Sequence, residues 1–292
     1  MENFKRQLNN TFINKLNSSE WWIKLVEIVN NDKNYNIQIR NNYLNVYYKM
    51  NSLFKIDFIK DDILITTHYK FIPVVKEQPK GKEYINLVDS DGKLDLLNNI
   101  EQDCFKNDLI SNLKRIEKQI DMFFGNEKYY QSKLIKKNTN IILDAEIQSN
   151  FGRIDLIALI NNEIVAIELK RLFDNRLHDE IKMNKQLNDY AQFMITNKNS
   201  IKQAYKNTID SKIALKLIDS TSKLYNVEWD NITVSEKPIL AIVADVSCRK
   251  QDVINLYKKT FFERFKNNTY AVYMFGDDAD ITSFSHNSKK FI

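Results

Sequence analysis

The sequence predicts an α/β protein in which a smaller α+β module with an antiparallel meander precedes a three-layer core with a mixed sheet. Three observations predict this class. Short strand-like runs joined by turns fill much of the first quarter of the chain, two hairpins with a nearly continuous apolar strand lie at its centre, and helical and strand-like runs then alternate. Alternating helices and buried strands are typical of layered α/β folds.

The N-terminal module is predicted to cover residues 1–75. Apolar residues at helical spacing predict helical structure between residues 2 and 29. Four strand-like runs separated by polar turns follow, which is the pattern of an antiparallel meander. Their aromatic and basic residues favour packing of the sheet against the helix, with base stacking as the alternative. The runs are 35–40, 43–49, 53–59 and 63–72.

A linker is predicted at residues 76–93, where prolines, glycines and charges interrupt the apolar pattern. Residues 94–292 are predicted to form the main domain. It is expected to begin with a helix and to continue with three strands, after which helices and buried strands follow. The expected helices are 95–124, 179–196, 201–217 and 251–265, and the expected strands are 141–171 in three runs, 239–246 and 270–275.

The centre of the chain predicts two tight hairpins that bring carboxylates together. Asn161 and Asn162 tolerate positive φ and are expected to form a two-residue turn. Counting outward from this turn places Asp155 opposite Glu168. Counting from the preceding turn places Glu146 opposite Asp155, so all three carboxylates share one face of the sheet.

The strand that carries Glu168 is almost continuously apolar, as strands buried on both faces are. Lys170 lies two residues further along on the same face. Both charges carry a desolvation cost unless they are paired or bound to a cation. A salt bridge of Lys170 with Glu168 or Asp155 is the structural alternative, but a single lysine does not neutralise three carboxylates. A divalent cation does.

These residues resemble the motif of the PD-(D/E)XK nuclease superfamily, which has the restriction-endonuclease-like fold. Gly-Arg-Ile-Asp ends at Asp155, and Glu-Leu-Lys begins at Glu168, thirteen residues later. Sixteen residues after Lys170, Gln186 and Tyr190 are similar to the Gln-x-x-x-Tyr motif of the RecB-like branch. An isoleucine precedes the aspartate where the family name has proline.

The resemblance implies a metal-dependent nuclease. Asp155, Glu168 and the main-chain carbonyl of Leu169 would bind Mg²⁺, and Mn²⁺ would substitute for it. Lys170 would orient or deprotonate the attacking water, and Glu146 would be a second-metal ligand or an outer-shell support. The products would carry a 5′-phosphate and a 3′-hydroxyl.

Substrate contacts are expected from Gln186, Tyr190, Arg153 and Arg171. Tyr190 also belongs to an apolar helix stripe, so a structural tyrosine is the alternative. We expect nucleic acid as the substrate, DNA in preference to RNA, and a role in defence or restriction. The alternatives are a repair or recombination nuclease such as a junction resolvase, and a non-catalytic nucleic-acid-binding module on a nuclease scaffold.

Composition predicts an ordered, cytoplasmic protein. Hydrophobic residues make up 43% of the chain and charged residues 28%. No run reaches the ~18 apolar residues of a membrane-spanning helix, so no membrane partner is expected. Two cysteines and three histidines are too few for a disulfide framework or a zinc cluster. The net charge of +5 is compatible with nucleic acid. A homodimer, and an activator or partner protein at the N-terminal module, are left open.

Overall fold

The computed structural model describes residues 4–71, 84–88, 109–122, 125–243 and 251–275. The chain divides into two compact units, and the α/β class predicted from the sequence is confirmed. Within these ranges, every helix is too short or too polar to cross a lipid bilayer. The meander unit comprises Lys5–Tyr129 and Asn207–Asp219, and the site unit comprises Met1–Phe4, Tyr130–Lys206 and Ser220–Ile292.

The meander unit contains a five-stranded antiparallel sheet in the order β1-β2-β3-β4-β5. The first four strands follow the predicted meander. Tight turns join them, and Asn42 and Asp61 adopt positive φ there. The elements are the helices α1 (Asn10–Asn17), α2 (Glu20–Asn31) and α3 (Leu109–Met122) and the strands β1 (Tyr35–Ile39), β2 (Tyr43–Tyr48), β3 (Asn51–Ile59), β4 (Asp62–His68) and β5 (Tyr84–Val88).

One hydrophobic core holds this unit together. The side chain of Asn9 begins α1 by accepting a hydrogen bond from the N–H of Phe12 at 2.7 Å, which satisfies a donor that the first helical turn leaves open. The helices bury Phe12, Leu16, Trp22 and Leu25 in this core. Alternate residues of the strands face the same core, among them Ile37, Ile39, Leu44, Val46, Leu53, Ile56, Ile63 and Ile65.

Two features of this unit differ from the domain bounds expected from the sequence. β5 lies inside the predicted linker, 76–93, yet it pairs with β4. β5 is a strand because it pairs with β4, and local composition does not predict such pairing. The helix α3 was expected to open the main domain, 94–292, but Leu113, Ile116 and Ile120 of this helix are buried in the core of the meander unit. The remaining linker residues lie outside the described ranges.

The site unit contains a six-stranded mixed sheet in the order β11-β10-β8-β7-β6, with β9 paired to β8. β6, β7 and β8 are antiparallel neighbours, whereas β9 and β10 run parallel to β8, and β11 runs parallel to β10. The unit boundaries divide two helices, so that α4 (Asn126–Lys137) belongs to this unit from Tyr130 and α7 (Lys198–Ala214) up to Lys206. The other elements are β6 (Ile142–Ser149), β7 (Gly152–Ile160), β8 (Glu163–Arg171), α5 (Asn175–His178), α6 (Glu180–Thr196), β9 (Thr233–Val234), β10 (Ile239–Val243), α8 (Gln251–Phe265) and β11 (Ala271–Phe275).

The hairpin between β7 and β8 has the predicted register. Ile160 pairs with Glu163, and the two residues between them, Asn161 and Asn162, have φ values of 50° and 63°. Two successive left-handed residues form the turn whose twist matches that of the flanking strands. β8 is buried at every position from 164 to 170, as its apolar sequence predicts.

The hairpin between β6 and β7 departs from the prediction at one residue. The strands pair in the predicted register on both sides of Glu146, for example Ala145 with Leu156. The pairs on either side keep the register that places Glu146 opposite Asp155, but the ladder has no pair at Glu146 itself, whose φ is 55°. A left-handed residue turns its peptide groups out of the ladder. Glutamate seldom adopts this conformation, and nothing in the local sequence indicates it.

The left-handed turn residue Asn162 can be tested by substitution. Asn162→Val is expected to lower the free energy of unfolding by about 1–2 kcal/mol relative to Asn162→Gly, because a side chain branched at Cβ is disfavoured in the left-handed region and glycine is not. Urea unfolding followed by circular dichroism measures the difference. Equal stability of the two variants would contradict the left-handed conformation at this position.

Candidate active site

Asp155 lies where β7 and β8 separate. The last pair of their ladder is Leu156 with Ile167, one step before Asp155 and Glu168. Beyond it, the N–H of Leu169 donates to Oδ2 of Asp155 at 2.9 Å. A side-chain carboxylate therefore accepts a main-chain hydrogen bond from β8, and this bond fixes Asp155 beside the Glu-Leu-Lys segment.

Lys170 and Glu168 form a buried ion pair on β8. The ammonium group of Lys170 contacts the Glu168 carboxylate, and it donates to the carbonyl oxygen of Leu169 at 3.3 Å. Glu168 is 0% exposed and Lys170 is 1% exposed. Desolvating each charge costs several kcal/mol, which their pairing offsets. The salt bridge considered from the sequence is thus formed, and its ammonium group contacts two of the three groups expected to bind a metal.

The helix α6 brings the hydroxyl of Tyr190 to the same cluster. The hydroxyl has two acceptors for its one proton, the Glu168 carboxylate and the carbonyl oxygen of Arg153 at 2.6 Å. It also accepts a hydrogen bond from the N–H of Asp155 at 3.3 Å. Burial and the nearby charge of Asp155 raise the pKa of Tyr190 well above its ordinary value. The hydroxyl therefore remains a proton donor at neutral pH.

Gln186 lies one helical turn before Tyr190, on the same side of α6. Gln186 is half-buried, whereas Tyr190 belongs to the buried stripe of α6. Both residues were expected to contact substrate, and a structural role was the alternative for Tyr190. The structural role is present for Tyr190, because its hydroxyl donates to the Glu168 carboxylate. Substrate contact stays a prediction.

Glu146 pairs with Arg153, and their Oε2 and Nη1 atoms are 3.3 Å apart. The Arg153 side chain is 53% exposed and the Glu146 side chain is 11% exposed, so the guanidinium group lies at the surface. Arg171 follows the buried lysine at the end of β8 and is half-buried. The roles expected for Glu146, a second-metal ligand or an outer-shell support, and the substrate contacts of both arginines stay predictions.

Gln131 is a residue of the site that the sequence prediction missed. It is buried in the part of α4 that belongs to the site unit, and its Nε2 donates to the carbonyl oxygen of Asp155 at 3.1 Å. The helix itself was not predicted. A signal was present, because Gln131 shares a helix face with the apolar residues Leu134 and Ile135. A polar residue on an apolar face needs a buried partner.

Asp144 is a further buried carboxylate, beside Asp155 and Glu168, and it was not predicted from the sequence. It pairs with Ile157 of β7 and therefore shares the sheet face of Asp155. Its Oδ1 accepts a hydrogen bond from the N–H of Ala145 at 2.8 Å, and its Oδ2 lies 3.4 Å from the hydroxyl oxygen of Tyr205. These partners give Asp144 a structural role.

The donor atoms at this site suit a small divalent cation. Within the described ranges, no three side chains of histidine, cysteine, aspartate or glutamate come together as a metal site. The expected set differs from such a group, because it has two carboxylates, of Asp155 and Glu168, and a main-chain carbonyl, of Leu169. All three are hard oxygen donors of the kind that Mg²⁺ prefers. The ammonium contact with two of them shows that these oxygens accept a positive charge.

Compared with known protein families, curated proteins and solved structures, the chain has no match. The interpretation of this site therefore depends on its own residues and their geometry.

Tyr190→Phe tests the support of the buried carboxylate. The variant is expected to lower the free energy of unfolding by about 1–3 kcal/mol, because it removes the hydroxyl that serves buried polar groups. Urea unfolding measures the change. Tyr205→Phe is the matched control, since it removes a buried hydroxyl whose bond to Asp144 is longer, and it should cost less. Unchanged stability of Tyr190→Phe with weakened nucleic-acid binding would favour substrate contact instead.

Proposed function

We propose that this protein is a metal-dependent nuclease of the PD-(D/E)XK superfamily with a restriction-endonuclease-like core. It would hydrolyse phosphodiester bonds of nucleic acid, DNA in preference to RNA, in defence or restriction. One observation carries the proposal: Asp155, Glu168 and Lys170 meet at adjacent strand ends, with the Leu169 carbonyl between them in the chain. This combination joins metal-binding oxygens to a cation that can act on a phosphate.

Charge balance supports a bound cation at this place. Asp155, Glu168 and Lys170 carry a net charge of −1 when all are ionised, which is the sign that a cation offsets. The chemistry that bound Mg²⁺ would supply is activation of a water molecule and neutralisation of charge on the phosphate. The ammonium group of Lys170 would then orient the water or contact a phosphate oxygen.

The surroundings of the carboxylates can hold a polyanion. Arg153 is exposed two residues before Asp155, and Arg171 directly follows Lys170. Cationic side chains at the rim of a site bind backbone phosphates without regard to sequence. Arg153 shares the sheet face of Asp155 and therefore supports nucleic acid as the substrate without choosing its sequence, whereas Arg171, one residue after Lys170, is expected to point to the opposite face.

Burial favours a second candidate, a non-catalytic nucleic-acid-binding module on a nuclease scaffold. Asp155 is 6% exposed, and the ion pair next to it is fully enclosed. A buried ion pair is also found in purely structural networks. This candidate differs from the first in one outcome, because it binds nucleic acid without cleaving it.

A cleavage assay on single-stranded and double-stranded DNA and RNA and on a four-way junction tests the proposal. Each substrate is incubated with Mg²⁺, Mn²⁺ or EDTA, and Asp155→Asn prepared in parallel controls for contaminating nuclease. We expect cleavage of DNA with Mg²⁺ and Mn²⁺ and none with EDTA. Binding without cleavage in Mn²⁺ would favour the non-catalytic module, and selective cleavage of the junction would favour a repair or recombination nuclease.

The three site residues are expected to respond differently to isosteric substitution. Asp155→Asn and Glu168→Gln should each lower metal affinity and slow cleavage by roughly 1000-fold, which corresponds to about 4 kcal/mol in the activation barrier. Lys170→Met should slow cleavage as strongly but keep metal affinity, since it removes no oxygen donor. Calorimetric titration beside the cleavage assay separates the two effects.

The matched control for this series is Asp144→Asn, which removes a buried carboxylate from the same sheet face. It should keep cleavage within a few-fold of wild type. Wild-type activity of Asp155→Asn would show that the site assignment is wrong.

The repulsion expected between the Asp155 and Glu168 carboxylates also predicts a metal-dependent difference in stability. Asp155→Asn keeps the acceptor for the Leu169 N–H and removes one negative charge, so without metal it should be more stable than wild type by about 1 kcal/mol. Excess Mg²⁺ should raise the thermal midpoint of wild type more than that of the variant, because a ligand stabilises the state that binds it. Melts of both proteins in EDTA and in Mg²⁺ measure this. A less stable variant in EDTA, with no Mg²⁺ shift in wild type, would indicate a structural ion network.

A further inference from the structure

Side chains from two helices hydrogen-bond the main chain of Asp155. Within an antiparallel ladder, the N–H and C=O groups of a paired residue bond to the adjacent strand. At Asp155, the N–H donates to the Tyr190 hydroxyl at 3.3 Å, and the C=O accepts from Nε2 of Gln131 at 3.1 Å. The first partner lies on α6 and the second on α4. The peptide groups on both sides of the Asp155 Cα are therefore hydrogen-bonded to side chains of helices.

The left-handed residue Glu146 explains why β6 does not supply these bonds. Glu146 is the residue that would stand opposite Asp155, and the ladder continues in register on both sides of it. Its φ of 55° removes this one pair. A non-glycine residue is held in that conformation only at a cost in conformational energy, and such residues concentrate at functional sites. The break lies beside the residue that the proposed function makes a metal ligand.

We infer that Gln131 is a positioning residue that sets the place of the Asp155 carboxylate for metal binding. The inference rests on the proposed function and goes beyond it, because it gives a specific task to a helix that carries none of the motif residues. Gln131 fixes the C=O of Asp155, and the carboxylate of Asp155 accepts the N–H of Leu169 at 2.9 Å. The Asp155 carboxylate and the Leu169 carbonyl are both expected metal ligands. Their relative position thus depends on the Gln131 amide.

The chemistry of the side chain fits this task. The Gln131 amide is neutral, so it orients Asp155 without competing for the cation or adding to the charge of the site. Partners that orient metal ligands from outside the coordination sphere change metal affinity or activity by about 10- to 100-fold when they are removed. A buried amide that serves only to satisfy a hydrogen bond would change stability and leave metal affinity unaltered.

Gln131→Met tests the inference, because methionine keeps the length of the side chain and removes the donor. Asn138→Leu is the matched control. Asn138 is also buried, it directly follows α4, and its Nδ2 donates to the carbonyl oxygen of Leu134 at 2.7 Å. Each variant of the full chain is titrated with Mg²⁺ by calorimetry, melted in EDTA, and assayed for cleavage as a function of Mg²⁺ concentration.

We expect Gln131→Met to weaken Mg²⁺ binding by about 10- to 100-fold and to raise the Mg²⁺ concentration needed for half-maximal cleavage by the same factor. Asn138→Leu should lose comparable thermal stability while its Mg²⁺ affinity stays within about twofold of wild type. If wild type binds Mg²⁺ and cleaves, and Gln131→Met matches Asn138→Leu in Mg²⁺ affinity, the inference is overturned. If wild type neither binds Mg²⁺ nor cleaves, the proposed function fails first.

A second pair of variants tests the ladder break should Gln131→Met fail to fold. Glu146→Gly and Glu146→Val remove the same carboxylate, but only glycine readily keeps the left-handed conformation. Valine favours extended backbone and would restore the bonds of β6 to Asp155 in competition with Gln131. We expect the valine variant to bind Mg²⁺ about tenfold more weakly than the glycine variant. Equal affinities would overturn the inference.

Discussion

The buried ion pair of Glu168 and Lys170 is the interaction on which the site unit depends. β8 lies between β7 and β10, and its buried stretch carries both charges. Charges without water must have protein partners, or the strand would not be stable where it lies. The hydroxyl of Tyr190 supplies one such partner, so α6 must lie over this part of the sheet. Met183 and Leu187 of α6 keep it there by packing in one cluster with Leu240 and Ile242 of β10 and residues of α8.

An ion pair alone does not explain the third charged group. Glu168 and Lys170 neutralise one another, and a structural network would be complete with them. Asp155 adds a negative charge beside the pair, and its carboxylate accepts the N–H of Leu169. Placing like charges on adjacent strands is unfavourable without compensation. The arrangement gains a physical reason if a divalent cation completes it, and the two helical bonds to the Asp155 main chain then hold a ligand in place.

The parts of the fold that sequence could predict are those that local chemistry decides. Asn161 and Asn162 impose their turn through their own tolerance of positive φ, and the register of β7 on β8 follows from it. The left-handed φ of Glu146 could not be predicted, because glutamate has no preference for this conformation. β5 was missed for a related reason. Its pairing with β4 joins it to the sheet despite its polar surroundings in the chain.

The same distinction applies to the candidate site. Asp155, Glu168 and Lys170 were predicted from their spacing along two strands, because a hairpin brings residues of its two strands close together. Gln131 reaches Asp155 from a helix 24 residues earlier in the chain. No local sequence pattern predicts this contact. The only sign of it in the sequence is the position of Gln131 on the apolar face of a helix.

The exposure of the site residues indicates from which side a phosphate would approach. Glu168 is enclosed within the central strand, and Asp155 on β7 is the least buried member of the cluster. Two residues before it, Arg153 reaches the surface, and its partner Glu146 interrupts the ladder at the same level of the sheet. Under the proposed function, the β7 side is therefore where a polyanion first meets a cation and then the carboxylate.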